Sequence, residues 1–106
     1  AIKHNDISNG LYLKACASTS NHERGRTLIA QQRSAGNHRA EFIAAAIGFY
    51  STIGDIENGR NTFLSVAALS QQAAIDCMDA MMRCYMDHHL AQEAMLLFES
   101  MKVQHK

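Results

Sequence analysis

The sequence predicts an all-α fold: a helical-repeat solenoid of three helix-turn-helix hairpins, six antiparallel helices in a single domain over residues 1–106. Three observations predict it. Apolar residues recur at three- and four-residue steps: Leu90, Ala94, Leu97, Phe98 and Met101 fall on one helical face, and Gln92, Glu93, Glu99 and Ser100 fall outside it. The chain also repeats itself. Tyr50, Gly59, Phe63 and Val66 return thirty-five residues later as Tyr85, Ala94, Phe98 and Met101, and an upstream copy offset by thirty-four matches Leu13 to Ile47, Cys16 to Tyr50, Gly25 to Gly59 and Ile29 to Phe63. Finally, the chain contains no Pro and no Trp and has few β-branched runs, which favours helix throughout. One hairpin cannot bury its apolar faces alone, so stacked units share a continuous core, and about three units are the usual minimum.

The units span about residues 6–38, 39–73 and 74–106. Residues 1–6 read as a loose polar start. Asp6 or Ser8 caps a first helix that runs to about Ser18, with Gly10 weakening its first turns. Thr19, Ser20 and Asn21 form a polar turn, and Asn21 or Ser20 caps a second helix that ends near Gly36, with Glu23 early enough to meet the helix dipole. The third helix is rich in alanine and takes in about Arg39 to Thr52. Gly54 ends it, and Asp55 starts the fourth, where Glu57 repeats the placement of Glu23. Leu69–Gln72 is the next connection. A fifth helix, about Ala73 to Met86, carries Met78, Met81, Met82 and Met86, a stripe that reads as core filling. Asp87, His88 and His89 make the last turn before a sixth helix from about Leu90 to Val103. The expected core is Leu13, Ile47, Tyr50, Phe63, Met82, Tyr85, Leu97, Phe98 and Met101, joined by Leu11, Leu28 and Ile29; on that footing Phe98→Ala costs about 3–5 kcal/mol. Gly25, Gly59 and Ala94 share one repeat position, where the lack of bulk lets the two helices of a unit approach closely.

Composition narrows the function classes. The formal net charge is zero, so the chain lacks the basic excess that usually accompanies nucleic-acid binding, without excluding it. No apolar run approaches the ~18 residues of a membrane span, so no membrane partner is expected. Three Cys without paired spacing suggest reduced thiols in an intracellular compartment. The chain begins at Ala1 with no targeting segment, and a mature form and a fragment of something longer both stay open. Cys84 and His88 stand four apart with His89 adjacent and Cys77 two turns back, but C-x2-C spacing is missing, so no metal site is expected. Cys16 reads as packing. His22, Glu23 and Asp55 sit at helix starts, where capping and dipole roles account for them. No nucleophile elbow, phosphate loop or metalloprotease motif occurs, so the chain reads as non-enzymatic and without a cofactor. Lys14, Arg24, Arg26, Arg33, Arg39, Arg60 and Arg83 are spread along it. They read as a solvated outer face, or Arg26, Arg33, Arg39 and Arg60 as contacts to phosphates.

Over about residues 7–102 the chain resembles a run of pentatricopeptide repeats. EAMLLFESMK is similar to the second-helix consensus of that family. LKACASTSNHERGRTLIAQQRSAG resembles the long variant found in plant-type editing factors, FYSTIGDIENGRNTF the short one, and the last unit the standard or end-of-array variant. The order long, short, standard is itself a feature of that subfamily. Tetratricopeptide repeats are the nearest competitor. Their closing Pro is missing, and their Leu-Gly pair stands one residue further from the Tyr than Ile47-Gly48 stands from Tyr50.

The resemblance implies a superhelix that holds single-stranded RNA along its first helices, one base per repeat, in a mitochondrial or plastid RNA editing or processing factor. It puts the base-reading positions at Gly10, Ala44 and Asp79, their partners at Arg39 and Ala74 with a third beyond Lys106, and the residue that supports the base at Asp76. The chain departs from the family pattern of Asn, Thr or Ser readers paired with Asp or Asn. Gly10 and Ala44 cannot hydrogen-bond a base edge, and Asp76 and Asp79 repel phosphate. Met78 stands where end-type units carry an aromatic residue. Two function classes follow: an RNA-binding module, or a structural, protein-binding subunit of a larger ribonucleoprotein. A small helical enzyme is a weaker third.

Overall fold

Helix-favouring composition and well-placed stop signals divide this computed structural model, which describes residues 6–104, into six helices. They are α1 (Asp6–Ser18), α2 (His22–Ser34), α3 (Ala40–Thr52), α4 (Ile56–Leu69), α5 (Gln71–Asp87) and α6 (Ala91–Gln104). No strand occurs among the described residues. Of the loose start expected for residues 1–6, Asp6 is instead the first residue of α1; residues 1–5 and the third reading partner, placed beyond Lys106, lie outside what is described.

The helix ends follow local chemistry. Gly54 has φ +80° and closes α3 with a pair of bonds: its N–H donates to the Ser51 carbonyl, and the Asp55 N–H donates to the Tyr50 carbonyl. That is the left-handed glycine stop, and Gly36, φ +86°, plays the same part after α2. His89 holds the repeat position of Gly54 and adopts the same hand, φ 61°, although its side chain makes that conformation costly. The Asp55 carboxylate accepts from the Asn58 N–H and starts α4. Asn21 stands at the N-cap of α2 but makes no side-chain bond to it; its amide donates to Thr19 Oγ1 instead. The expected connection Leu69–Gln72 shrinks to Ser70. Ser70 ends α4 in extended conformation, and its hydroxyl accepts from the Ala73 N–H, which starts α5 two residues earlier than periodicity indicates.

The helices pack in two rows. α1 lies against α3 and α3 against α5, while α2, α4 and α6 each lie against the helix before them, and α4 also meets α5. The result measures 45 × 27 × 18 Å. α3 sits between α1, α4 and α5, so Phe42, Ile43, Ala46, Ile47 and Phe49 are all buried. Of the expected core, Leu13, Ile29, Ile47, Tyr50, Phe63, Tyr85 and Met101 are buried and Leu28, Met82 and Leu97 half-buried. Three expectations are corrected. Met86, read as core filling with the other methionines of α5, is 55% exposed in the last turn of that helix, where it lines the edge of α6. Leu11 is exposed, on the flank of α1 that faces solvent beside α3. Phe98 is 45% exposed, because no described helix lies over α6 as α5 lies over Phe63. The 3–5 kcal/mol expected for Phe98→Ala falls with it.

At Gly25 a Cβ would overlap the ring of Phe49, so the missing bulk makes room for a side chain of α3 as well. At Gly59 the nearest atoms are Tyr50 Cβ at 3.6 Å and Cys84 Sγ at 4.0 Å, one in the same unit and one in the next. Asn9, which shares a repeat position with Ile43 and Met78, is 1% exposed, and neither atom of its amide has a hydrogen-bond partner.

Two stability measurements check this packing. In urea denaturation Phe42→Ala costs about 3–5 kcal/mol and Phe98→Ala about 1 kcal/mol or less, because only the first leaves a cavity. Asn9→Leu stabilises the chain by about 1–3 kcal/mol, since it removes an unpaired buried amide and keeps the same number of side-chain heavy atoms. Equal losses at Phe42 and Phe98, or a loss at Asn9, contradict the packing described.

Candidate binding face

The row α1–α3–α5 leaves two grooves on one side of the molecule. Small side chains make them. Gly10, Ala44, Ala45 and Gly48 floor a groove of about 430 Å³ between α1 and α3, with Leu11, Lys14 and Glu41 around it. A Cβ added to Gly48 would meet nothing within 4 Å, so the floor there is open to a ligand. A second groove of about 470 Å³, between α3 and α5, shares Ala44, Ala45 and Gly48 and adds Asp76, Asp79, Arg83 and Asp87.

Four of the six residues that the sequence points to therefore come together. Gly10 and Ala44 line the first groove; Ala44, Asp76 and Asp79 line the second. The other two stand apart. Ala74 is 2% exposed and packs in the core, so it presents no surface to a ligand. Arg39 is exposed at the N-cap of α3, where its N–H donates to Asn37 Oδ1. The face is acidic: Glu41, Asp76, Asp79 and Asp87 outnumber Lys14 and Arg83 among the lining residues.

Three of the arginines considered for phosphate contact are engaged elsewhere, across the boundaries between units. Arg26 reaches Asp55 at 3.3 Å. Arg33 donates to the Ser65 hydroxyl. Arg60 donates to Tyr85 Oη at 3.0 Å, lies 5.6 Å from the centroid of that ring and stands 3.9 Å from Glu93. Arg26 and Arg60 hold one repeat position, a signal that would have marked them as joint residues.

The thiols are packing groups. Cys16, Cys77 and Cys84 are all buried. Burial, and then the nearby Asp76 carboxylate, push Cys77 from its ordinary 9.0 up to about 11, and its thiol donates to the Ala40 carbonyl at 3.6 Å. Burial also raises Cys84, while a hydrogen bond with Ser51 pulls it back part of the way. His88 does not turn to Cys84 as a ligand pair would; its Nε2 lies 2.7 Å from the Ser51 carbonyl oxygen, at the end of α3. Among the described residues no three His, Cys, Asp or Glu side chains group as metal ligands, and no helix is long and apolar enough to cross a membrane.

The raised thiol has a measurable consequence. Its contribution to stability is complete below pH 9.0, where the thiol is neutral in both states, and is lost as the pH climbs towards about 11, where the unfolded thiol ionises first. Stability of the parent chain therefore falls between pH 9 and 11, and Cys77→Ala makes that fall shallower; identical slopes in the two proteins would contradict the burial of the thiol.

No family model, curated protein or solved structure matches the chain.

Proposed function

We propose that the chain is a pentatricopeptide-type RNA-binding module. Its three hairpins stack as a solenoid, and the α1–α3–α5 face tracks single-stranded RNA in a mitochondrial or plastid editing or processing factor. One observation carries the reading. Gly10, Ala44 and Asp79, the reading positions that the family resemblance implies, lie along adjacent grooves on a single face, with Asp76 beside the last of them. The order of helix contacts, first helix to first helix with each second helix behind, is the arrangement that stacked hairpins produce.

The same face sets what these units do with RNA. Gly10 and Ala44 leave room for a base without reading it. Asp79 accepts a hydrogen bond from an exocyclic amino group and donates none. The joint arginines are spent on Asp55, Ser65 and Tyr85, which leaves Lys14 and Arg83 as the bases beside the grooves. A second reading, a protein-binding subunit of a ribonucleoprotein, is favoured by the surplus of carboxylates on this face.

The test is a titration of the chain against short single-stranded RNAs of different sequence at two salt concentrations. Binding is weak, with little base preference, covers about three bases and falls with added salt. Asp79→Asn tightens it several-fold by removing a negative charge and adding an amide donor. Sub-micromolar, sequence-selective binding would move the reading positions to another register. Absence of binding in both parent and variant favours the protein-binding subunit.

A further inference from the structure

The two joints between hairpins are closed by different means. Phe49 and Cys84 hold one repeat position, and each faces a glycine of the preceding or same level of the stack. The Phe49 ring lies where a Cβ on Gly25 would stand, whereas Cys84 Sγ lies 4.0 Å from the corresponding point on Gly59. A phenyl ring takes far more room than a thiol, so it holds α2 off the next hairpin where Cys84 lets α4 close on α5. α4 therefore lies against both α3 and α5, while α2 has one principal neighbour, α1.

Behind the row of first helices, long side chains bridge the first joint. Arg26 meets Asp55 at 3.3 Å, Arg33 donates to the Ser65 hydroxyl, and the His22 ring stands edge-on to Phe49 with centroids 6.4 Å apart. The second joint has Arg60 on Tyr85 behind, and two further bonds within the row, Cys77 to the Ala40 carbonyl and His88 to the Ser51 carbonyl. Phe49 also lines the α1–α3 groove at the front. Its ring thus stands between that groove and the bridged side.

We infer that the first hairpin swings about Phe49 as a hinge, and that Arg26 and Arg33 hold it in the position seen. The swing parts α2 from α4 at the back and narrows the α1–α3 groove at the front. The α3–α5 groove keeps its width. Gly36, with φ +86°, takes up the rotation in the connection between α2 and α3. Turning about the ring keeps Phe49 buried, so the motion exposes little apolar surface. The Arg26–Asp55 pair is open to screening by salt, with side chains 41% and 22% exposed. Arg33 binds a neutral hydroxyl and is far less sensitive. Ionic strength therefore loosens one of the two bridges, and the width of the front groove becomes dependent on salt. The inference rests on helix packing and not on the RNA reading.

Distances between nitroxide labels test it in the 106-residue chain. Thr27, Asn61 and Leu96 hold one repeat position, one on each second helix, and all three are exposed. Lys14 and Glu41 are exposed on the two sides of the front groove. The native thiols are buried, so introduced cysteines take the labels. Thr27→Cys with Asn61→Cys spans the first joint, Asn61→Cys with Leu96→Cys the second, and Lys14→Cys with Glu41→Cys the groove. Adding Arg26→Gln and Arg33→Gln lengthens the first distance by several ångströms and broadens its distribution. The groove distance shortens, and the second-joint distance stays as in the parent. Added salt reproduces part of this change in the parent, an arm that needs no substitution at the bridges, and adds nothing in the variant. Opposite signs at back and front distinguish a hinge from general loosening. Unchanged distances in the variant, or lengthening of all three, overturn the inference. No reading uses RNA, so its failure and that of the RNA reading stay separate.

Discussion

Burial of α3 is the constraint on which the rest of the structure depends. It lies against three others, α1, α4 and α5, and buries Phe42, Ile43, Ala46, Ile47, Phe49 and Tyr50. An apolar face that broad has no stable exposure to water, so it has to be covered by several neighbours, while Glu41, Gly48 and Thr52 stay on the open side. The hairpin that contains it thereby becomes the middle of the molecule, and the flanking units owe their order to it. α2 and α6 each have one principal neighbour, α1 and α5 respectively, and depend on the centre mainly through it.

The same economy of side-chain volume shapes both sides of the sheet-like row of first helices. Inward, Gly25 admits the Phe49 ring and fixes how closely α2 approaches the next unit. Outward, Gly10, Ala44, Ala45 and Gly48 keep the row hollow and create the grooves. Cationic side chains are concentrated instead at the joints, where Arg26, Arg33 and Arg60 bind one unit to the next. The molecule thus spends its arginines on cohesion and leaves its grooves acidic, the reverse of the arrangement expected in a surface built mainly for a polyanion.

Much of this was legible in the sequence, and the gaps have physical reasons. Gly36, Gly54, Asp55 and Ser70 are punctuation with a local mechanism, so most helix limits were readable within two residues. Repeat matching located the core positions Leu13, Ile47, Phe63 and Tyr85, and the family resemblance pointed to Gly10, Ala44 and Asp79, which line one face. Repeat matching failed at Phe98 because it treats every unit as equally covered, whereas burial depends on a following helix. It passed over Phe42, Ile43 and Phe49 because the small residues Ala44, Ala45 and Gly48 on the open side of α3 blur the edge of its buried face in the sequence. It misassigned the arginines because an ion pair such as Arg26 with Asp55, twenty-nine residues apart, exists only once the units are stacked.

The joints between units are unequal in length. Residues 35–39 separate α2 from α3, whereas Ser70 alone separates α4 from α5, with its hydroxyl tied to the Ala73 N–H. Two helices sharing a single tethered residue have almost no torsional slack, so the second and third hairpins turn as one lever. The five-residue joint leaves the first hairpin a softer pivot. Strain imposed along the molecule's 45 Å axis collects at residues 35–39, and an insertion beside Ser70 would alter the pitch of everything beyond it.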